Sequence, residues 1–174
     1  MASLRSLSLI HSASCFFNSL FREWQDVVIV PSPALIHTKT FCAECLLIRL
    51  SESQTIYLPL KRKSLVGRHQ YASVFFLESN SVMEEVGFEL VAELIVKHLT
   101  TVFPNSLGNE NVFLDRLQNS IANMELALEE RQADLERIYS SVISFREAEQ
   151  GLMIGHNFHP YPKMREGFNE EDYR

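Results

Sequence analysis

The sequence predicts an α+β fold, with a small, mainly antiparallel sheet and an N-terminal helix, followed by two longer helices and a C-terminal loop. Three observations predict it. Apolar residues recur at helical spacing near the start, short strand-like runs follow as far as residue 77, and helical periodicity fills residues 81–148. A chain of 174 residues can bury a real core as one domain, or as one domain and the start of another.

The first predicted element is an amphipathic helix over residues 8–24. Its apolar residues return every three or four positions and therefore share one face: Ile10, Phe16, Phe17, Leu20, Phe21 and Trp24. Residues 26–30 form a β-branched run that predicts a strand. Pro31 and Pro33 are expected to end it, because proline cannot donate to a strand ladder.

Three more strands are predicted in the first half of the chain. Residues 44–50 and 54–60 are strand-like runs, and only the short polar segment 51–53 separates them, which favours a hairpin. Residues 71–77 predict a fourth strand. These strands are therefore expected to form a small, mainly antiparallel sheet, with the opening helix packed against it.

Two helices are predicted in the second half. Ser81 followed by Glu84 resembles a capping box, so a helix is expected from there to about Phe103. Its apolar stripe consists of Val86, Leu90, Leu94, Leu99 and Val102. Residues 104–108 predict a loop. A second helix is expected over residues 112–148, with an apolar face formed by Phe113, Leu117, Ile121, Met124, Leu128, Leu135, Ile138, Val142 and Phe145.

Charge and composition narrow the classes of partner. The formal net charge of −6 and the pI of about 5.5 argue against general attraction to nucleic acid or to anionic membranes. No run approaches the roughly 18–20 apolar residues that a membrane span needs, and no secretory signal is recognisable. Because the three cysteines are also an odd number, we expect a reducing compartment and a cytoplasmic protein.

Two local clusters have a simple interpretation. Cys42 and Cys45 form a C-x-x-C pair, but no second pair stands at zinc-finger spacing, so buried or edge cysteines are favoured. A small metal protein that uses these cysteines and the histidines is a further alternative. The basic cluster of Lys61, Arg62, Lys63 and Arg68 is interpreted as a solvated loop.

The segment 149–168 differs in composition from the rest of the chain. It holds three of the six glycines, two of the six histidines and two of the six prolines, which indicates an irregular loop after a long helix. His156, His159, Lys163 and Arg165 lie within ten residues of one another. Such a group suits phosphate or carboxylate, because charge-assisted hydrogen bonds are strong. From composition alone, a solvated, disordered tail is an equal alternative.

The spacing of this segment resembles a family hallmark. Gly155-His156-x-x-His159-Pro160-x-x-Lys163-x-Arg165-x-Gly167 is similar to the G-H-P-x-H-P-x-x-K-x-R-x-G pattern of the IucA/IucC family, the NRPS-independent siderophore synthetases. Asn157 stands where the family usually has proline, so a slightly looser loop is expected.

The resemblance implies an ATP-dependent ligase of siderophore biosynthesis. Such an enzyme activates a polycarboxylic acid such as citrate as an acyl-adenylate, with Mg²⁺ accompanying ATP, and condenses it with an amine, hydroxylamine or alcohol. By the same resemblance, an ATP and carboxylate site is expected at Gly155, His156, His159, Lys163, Arg165 and Gly167.

The resemblance also implies that this chain is an N-terminal part of a longer enzyme. Residues 1–148 are expected to be the N-terminal α+β region, and 149–174 the start of the nucleotide-binding region. The 174-residue chain alone is expected to be incomplete and inactive, and the full-length enzyme a possible homodimer. The alternative is a non-catalytic orphan domain that acts only in protein interaction, whose uncovered apolar helix faces would be sticky.

Overall fold

The computed structural model describes residues 3–105, 108–131 and 144 of the chain. Four helices and six strands are found there. In chain order they are α1 (Leu4–Glu23), β1 (Val28–Pro31), α2 (Ala34–Thr40), β2 (Glu44–Arg49), β3 (Gln54–Arg62), β4 (Gln70–Tyr71), β5 (Phe75–Ser79), β6 (Val82–Val86), α3 (Phe88–Val102) and α4 (Glu110–Glu130).

The strands form one sheet in which every described pair is antiparallel. The strand order is β1-β2-β3-β5-β6, and the short β4 also pairs with β3. The predicted hairpin is confirmed, because Leu46 lies opposite Leu58 and Ile48 opposite Ile56. The α+β fold class, with an opening helix, an antiparallel sheet and two later helices, is confirmed as well.

The prediction of one strand over residues 71–77 is wrong. The chain forms β4 opposite the end of β3 and β5 opposite its beginning, and β3 shifts register between Leu60 and Arg62. Pro59 gives the physical reason. Its carbonyl oxygen accepts a hydrogen bond from the backbone N–H of Ala72 at 2.8 Å, but it has no N–H to donate in return. The ladder therefore cannot run without a break along this edge of β3.

The predicted capping box at Ser81 and Glu84 is also wrong. Asn80 and Ser81 both have positive φ, 50° and 67°, and form a tight turn between β5 and β6. Two central residues with positive φ match the twist of a two-residue hairpin. Helix α3 begins only after Gly87, and Leu90 and Val102 of the predicted apolar stripe are nearly half exposed. The buried residues of α3 are Phe88, Val91, Ala92, Ile95 and Val96.

The first strand and a short helix also differ from the sequence prediction. Pro31 is the last residue of β1 instead of following it, and it lies opposite Glu44 at the edge of the sheet, where proline is tolerated. Helix α2 was not predicted; it has only seven residues and one buried side chain, Ile36. It ends at Phe41, whose backbone is left-handed with φ 56° and ψ 18°.

The sheet is covered on both faces. Alternate side chains of a strand point to opposite faces. Leu46 and Phe75 accordingly belong to the large core that α1, α3 and α4 share. Cys45 and Phe76 belong to a small cluster with Ile36 of α2. Helices α1, α3 and α4 therefore lie on one face and α2 on the other.

The opening helix is the centre of the large core. Ser3 caps it, since its hydroxyl accepts a hydrogen bond from the backbone N–H of Ser6. The ring of Phe17 stands roughly perpendicular to those of Tyr71, Phe75 and Phe88, with centroid distances of 5.2, 5.2 and 5.5 Å. Such edge-to-face contacts add to the free energy of burial. The helix predicted over residues 8–24 is thus confirmed and begins four residues earlier.

Helix α4 packs against α1. Its apolar face is the predicted one, because Leu117, Ile121 and Met124 are buried. The prediction of one unbroken helix over residues 112–148 is wrong, because α4 ends at Glu130 and Arg131 caps it in a non-helical conformation with φ −111° and ψ 13°. Residues 132–143 and 145–148 lie outside the described residues, as does the predicted C-terminal loop. No helix within 3–105 or 108–131 is both long enough and apolar enough to cross a membrane.

Candidate functional site

The site residues predicted from the sequence lie outside the described residues. They are Gly155, His156, His159, Lys163, Arg165 and Gly167. The candidate sites with a known geometry are therefore the cavities in the described part of the chain. Two of them border α1 on different sides.

One cavity, of about 600 Å³, lies between α1, α4 and strand β4 with the loop before it, and we call it the α1–β4 cavity. Its walls combine apolar side chains with amide, hydroxyl, imidazole and cationic groups. The described lining residues are Leu7, Ile10, His11, Ser14, Cys15, Asn18, Lys61, Arg68, His69, Gln70, Tyr71, Met124 and Leu128.

A buried amide anchors β4 on α1 beside this cavity. Asn18 Nδ2 donates to the carbonyl oxygen of His69 at 3.2 Å, and the backbone N–H of His69 donates to Asn18 Oδ1 at 3.1 Å. The Tyr71 hydroxyl donates to the same Oδ1 at 3.1 Å. Burial raises the pKa of Tyr71, so the hydroxyl keeps its proton and stays a donor.

His69 is held as a neutral imidazole in a defined tautomer. The backbone N–H of Ser64 donates to Nδ1 at 3.1 Å, so Nδ1 is the acceptor and Nε2 carries the proton. Burial lowers the pKa of His69, Lys63 lowers it further, and Glu44 acts in the opposite direction. His69 is 3% exposed, and its Nε2 has no hydrogen-bond partner within the described part of the chain.

The basic cluster has two parts. Lys61, Arg62, Lys63 and Arg68 are exposed, as predicted, but the prediction of a loop is wrong for Lys61 and Arg62, which are the last residues of β3. Lys63 Nζ is 2.9 Å from Glu44 Oε1, so its charge is paired across the end of the sheet. Lys61 and Arg68 border the α1–β4 cavity. This juxtaposition was missed by the sequence reasoning, which treated all four as one loop.

A second cavity, of about 380 Å³, lies between α1, α3 and α4 and is mainly apolar. Phe16, Leu20, Leu99 and Phe113 are among its walls, and Glu23 and Glu110 also border it. Its shape suits an apolar group. It contains no cation among its described lining residues, so it does not resemble the predicted anion site.

Cys42 and Cys45 are buried, which agrees with the prediction of buried or edge cysteines, and Cys15 is buried as well. Burial raises the pKa of Cys15 to about 12. Burial also raises the pKa of Cys45, although a hydrogen bond with the Ser32 hydroxyl at 3.0 Å opposes this effect. A thiol with a raised pKa is a poor nucleophile and a poor metal ligand. In residues 3–105 and 108–131, no group of three His, Cys, Asp or Glu side chains could hold a metal ion.

Sequence comparison relates the chain to siderophore synthetases. Residues 144–174 match the model of the IucA / IucC family. The chain is 32% identical over 161 residues to N(2)-citryl-N(6)-acetyl-N(6)-hydroxylysine synthase of Vibrio mimicus, which covers 92% of this chain and 26% of that protein. It is 33% identical over 133 residues to the spermidine-citrate ligase of Bacillus anthracis, which covers 74% of this chain and 22% of that protein.

Structural comparison gives the same relationship. The fold superposes on ATP-bound aerobactin synthetase IucA of Klebsiella pneumoniae with a TM-score of 0.79 and 29% identity, over 94% of this chain and 28% of that one. The chain spans about a quarter of the length of the curated relatives it matches. These similarities do not favour the alternative of a non-catalytic orphan domain.

Proposed function

Because this chain belongs to the IucA/IucC family, we propose that it is part of an ATP-dependent ligase of siderophore biosynthesis. One observation carries the proposal: the family match over residues 144–174 includes all six residues of the predicted site. The relatives named above, a citryl-hydroxylysine synthase and a spermidine-citrate ligase, support citrate or a similar polycarboxylic acid as the substrate.

The proposed reaction has two steps. A carboxylate oxygen of the acid attacks the α-phosphorus of ATP, the bond to the β-phosphate breaks, and pyrophosphate leaves. An amine, hydroxylamine or alcohol then attacks the carbonyl carbon of the acyl-adenylate. The new C–N or C–O bond forms while the bond to AMP breaks, and the nucleophile loses a proton. Both steps develop negative charge on phosphate or carbonyl oxygens, which fixed donors stabilise.

The six motif residues fit this chemistry by residue type. Lys163 and Arg165 supply cations, and Arg can grip a phosphate or carboxylate with two parallel hydrogen bonds. His156 and His159 supply further nitrogen donors. Gly155 and Gly167 allow close approach of the backbone to a ligand. We propose that together they bind ATP and the substrate carboxylate, at the start of a nucleotide-binding region that follows residue 148.

The proposal extends to magnesium, assembly and location. Mg²⁺ bound to ATP would neutralise part of the phosphate charge. We assign no protein ligand of Mg²⁺ among the described residues. A homodimer of the full-length enzyme and a cytoplasmic location are further parts of the proposal. Three free thiols, Cys15, Cys42 and Cys45, support a reducing compartment.

The experiment uses the product of the complete reading frame that encodes this chain. The purified protein is incubated with ATP, Mg²⁺ and hydroxylamine, and with citrate, other polycarboxylic acids or acetate. We expect pyrophosphate release and hydroxamate formation with one polycarboxylic acid, and neither product with acetate. A folded protein that releases no pyrophosphate with any polycarboxylic acid of the panel would refute the proposal.

A parallel assay of the 174-residue chain tests whether this part is sufficient. The chain covers about a quarter of its relatives. We therefore expect no hydroxamate above the background without protein. Turnover at the rate of the longer product would show that residues 1–174 contain the complete active site.

A further inference from the structure

We propose that the cavity between α1, α3 and α4, which we call the α1–α3–α4 cavity, binds an organic ammonium ion. Such a ligand has an apolar body and one protonated amine. The inference does not depend on the proposed function. Three features of the described structure carry it: an apolar interior with aromatic walls, carboxylates as its charged lining groups, and two acceptor oxygens side by side in the wall.

The α1–α3–α4 cavity lies at one end of the three helices. Arg5, near the start of α1, is 3.7 Å from Glu89 near the start of α3 and 3.5 Å from Glu125 near the end of α4. Helices α1 and α3 therefore run in the same direction and α4 runs in the opposite one. The last turns of α1 and α3 and the first turn of α4 meet at the other end, and these turns supply most of the lining residues.

The interior of the cavity suits an apolar body. Its volume of about 380 Å³ falls within the range of roughly 300–1,000 Å³ that is typical of ligand sites. Its apolar described lining residues are Phe16, Leu20, Val96, Leu99, Phe103 and Phe113. The rings of Phe16 and Phe113 have centroids 5.9 Å apart. Aromatic walls bind apolar groups, and their faces also attract cations.

The charged lining groups favour a cation over an anion. Glu23, the last residue of α1, and Glu110, the first residue of α4, are the charged side chains among the described lining residues. The polar side chains of Ser19, Thr100 and Asn109, which also line the cavity, are neutral. A ligand in this cavity therefore meets negative charge at the helix ends, which attracts an ammonium ion and repels a carboxylate.

Two acceptor oxygens mark the position of the ammonium group. Thr100 Oγ1 lies 3.4 Å from Glu110 Oε2. The single hydroxyl proton of Thr100 is directed to the carbonyl oxygen of Lys97, which is closer, at 2.8 Å. Oγ1 therefore turns a lone pair towards the carboxylate. An ammonium ion has three N–H donors and can bond both oxygens, and its bond to Glu110 is charge-assisted. The hydroxyl of an alcohol donates only once.

The test measures binding to the 174-residue chain by calorimetry at neutral pH and constant ionic strength. The probe is phenethylammonium. Phenethyl alcohol keeps the apolar body without the charge, hydrocinnamate reverses the charge, and methylammonium keeps the charge without the body. We expect saturable binding of phenethylammonium, binding of phenethyl alcohol that is weaker by about tenfold or more, and no saturable binding of the other two. No saturable binding of phenethylammonium, or an equal affinity for the alcohol, would overturn the inference.

Variants test the carboxylates. Glu110→Gln keeps the size of the side chain and removes its charge, so it should weaken binding of phenethylammonium by about tenfold or more. Glu23→Gln should weaken it less, by about twofold to fivefold, because Glu23 is exposed. Glu93→Gln is the matched control, since Glu93 is an exposed carboxylate of α3 that does not line the cavity. Equal losses in Glu110→Gln and Glu93→Gln, or an unchanged affinity in Glu110→Gln, would refute the site.

Methyl resonances locate the ligand independently of charge. Leu20 and Leu99 line the cavity, so the ring of bound phenethylammonium should shift their methyl resonances with the same affinity that calorimetry gives. The control is Ile36, which is buried in the small cluster on the opposite face of the sheet and should not shift. Methyl resonances of Leu20 and Leu99 that do not move at saturation, or that move no more than those of Ile36, would place the ligand outside this cavity and refute the inference.

Discussion

Asn18 shows how much of this fold depends on one buried amide. It is 3% exposed and makes three hydrogen bonds, two with the backbone of His69 and one with the Tyr71 hydroxyl. These bonds join α1 to β4 and to the residue before it, across 51 positions of sequence for His69 and 53 for Tyr71. A lone Asn on the apolar face of a helix gives no sequence signal for such a contact, because its partners, the backbone of His69 and the Tyr71 hydroxyl, are distant in sequence.

The substitution Asn18→Ala should destabilise the protein strongly. It leaves a buried N–H, a buried carbonyl and the Tyr71 hydroxyl without partners, and each such group costs about 1–3 kcal/mol, so we expect a loss of about 3 kcal/mol or more. Urea unfolding measures it. Asn123→Ala is the control, because the Asn123 side chain bonds Asn119 on the exposed side of α4. A loss below about 1 kcal/mol for Asn18→Ala would contradict the importance of this network.

His69 gives the protein a predictable response to acid. Its pKa in the folded state is below the ordinary value of 6.5, because burial and Lys63 disfavour the imidazolium, although Glu44 favours it. As the pH falls through 6.5, the unfolded chain therefore binds more protons than the folded chain, and stability decreases. Below the folded-state pKa, both states are protonated and this contribution stops changing.

The comparison of parent and His69→Asn isolates that contribution. The free energy of unfolding of the parent should fall more steeply between pH 7.5 and about pH 5 than that of the variant. Urea unfolding at several pH values measures both slopes. All other ionisable groups are common to both proteins, including Lys63 and Glu44, whose charges act on the imidazole. Parallel slopes would contradict a lowered pKa at His69.

At the scale of the elements, hydrophobic periodicity predicted several helices and strands correctly, whereas a local capping motif predicted a helix where the chain forms a hairpin. Helix α1, the β2–β3 hairpin and the buried face of α4 follow from spacing alone, because each repeats its pattern over several turns or residues. The capping-box pattern at Ser81 and Glu84 occurs instead in a hairpin, where Asn80 and Ser81 adopt left-handed conformations. A two-residue turn depends on strand pairing, which the sequence alone does not show.

Two candidate sites also differ in whether the sequence alone predicts them. The motif at residues 155–167 could be predicted from the sequence, because its residues lie close together along the chain at a recognisable spacing. The α1–β4 cavity could not, because its walls come from α1, α4 and the region of residues 61–71. The basic cluster can be found in the sequence, but nothing in its spacing shows that Lys61 and Arg68 border the cavity or that Lys63 forms an ion pair with Glu44.

The end of α2 provides a test at this scale. Phe41 ends the helix in a left-handed conformation, with φ 56°, and is 85% exposed. That conformation costs a bulky residue about 1 kcal/mol, and glycine adopts it freely. Phe41→Gly should therefore stabilise the protein by about 0.5–1 kcal/mol, because little apolar burial is lost. Thermal unfolding measures the change.

Phe103→Gly is the matched control at the end of α3. Its φ is −118°, which an ordinary residue adopts without strain, and its side chain is half exposed. Glycine there loses apolar burial and gains freedom in the unfolded chain, so a loss of about 1 kcal/mol is expected. If both substitutions shift the unfolding temperature downwards by similar amounts, the left-handed strain at Phe41 is not significant.

For the whole molecule, the fold and the sequence support the same family by separate routes. The superposition on aerobactin synthetase covers 94% of this chain, whereas the family model matches residues 144–174. The chain spans about a quarter of the length of these relatives.

The most direct measurement is polycarboxylate-dependent pyrophosphate release by the product of the complete reading frame, compared between motif variants. Lys163→Ala and Arg165→Ala should each lower the rate by roughly tenfold to a thousandfold, since donors to developing charge contribute on this scale. Arg174→Ala, a cation beyond the motif, should leave the rate within twofold. Rates in the two motif variants that equal the rate of the Arg174→Ala control would contradict an ATP and carboxylate site at residues 155–167.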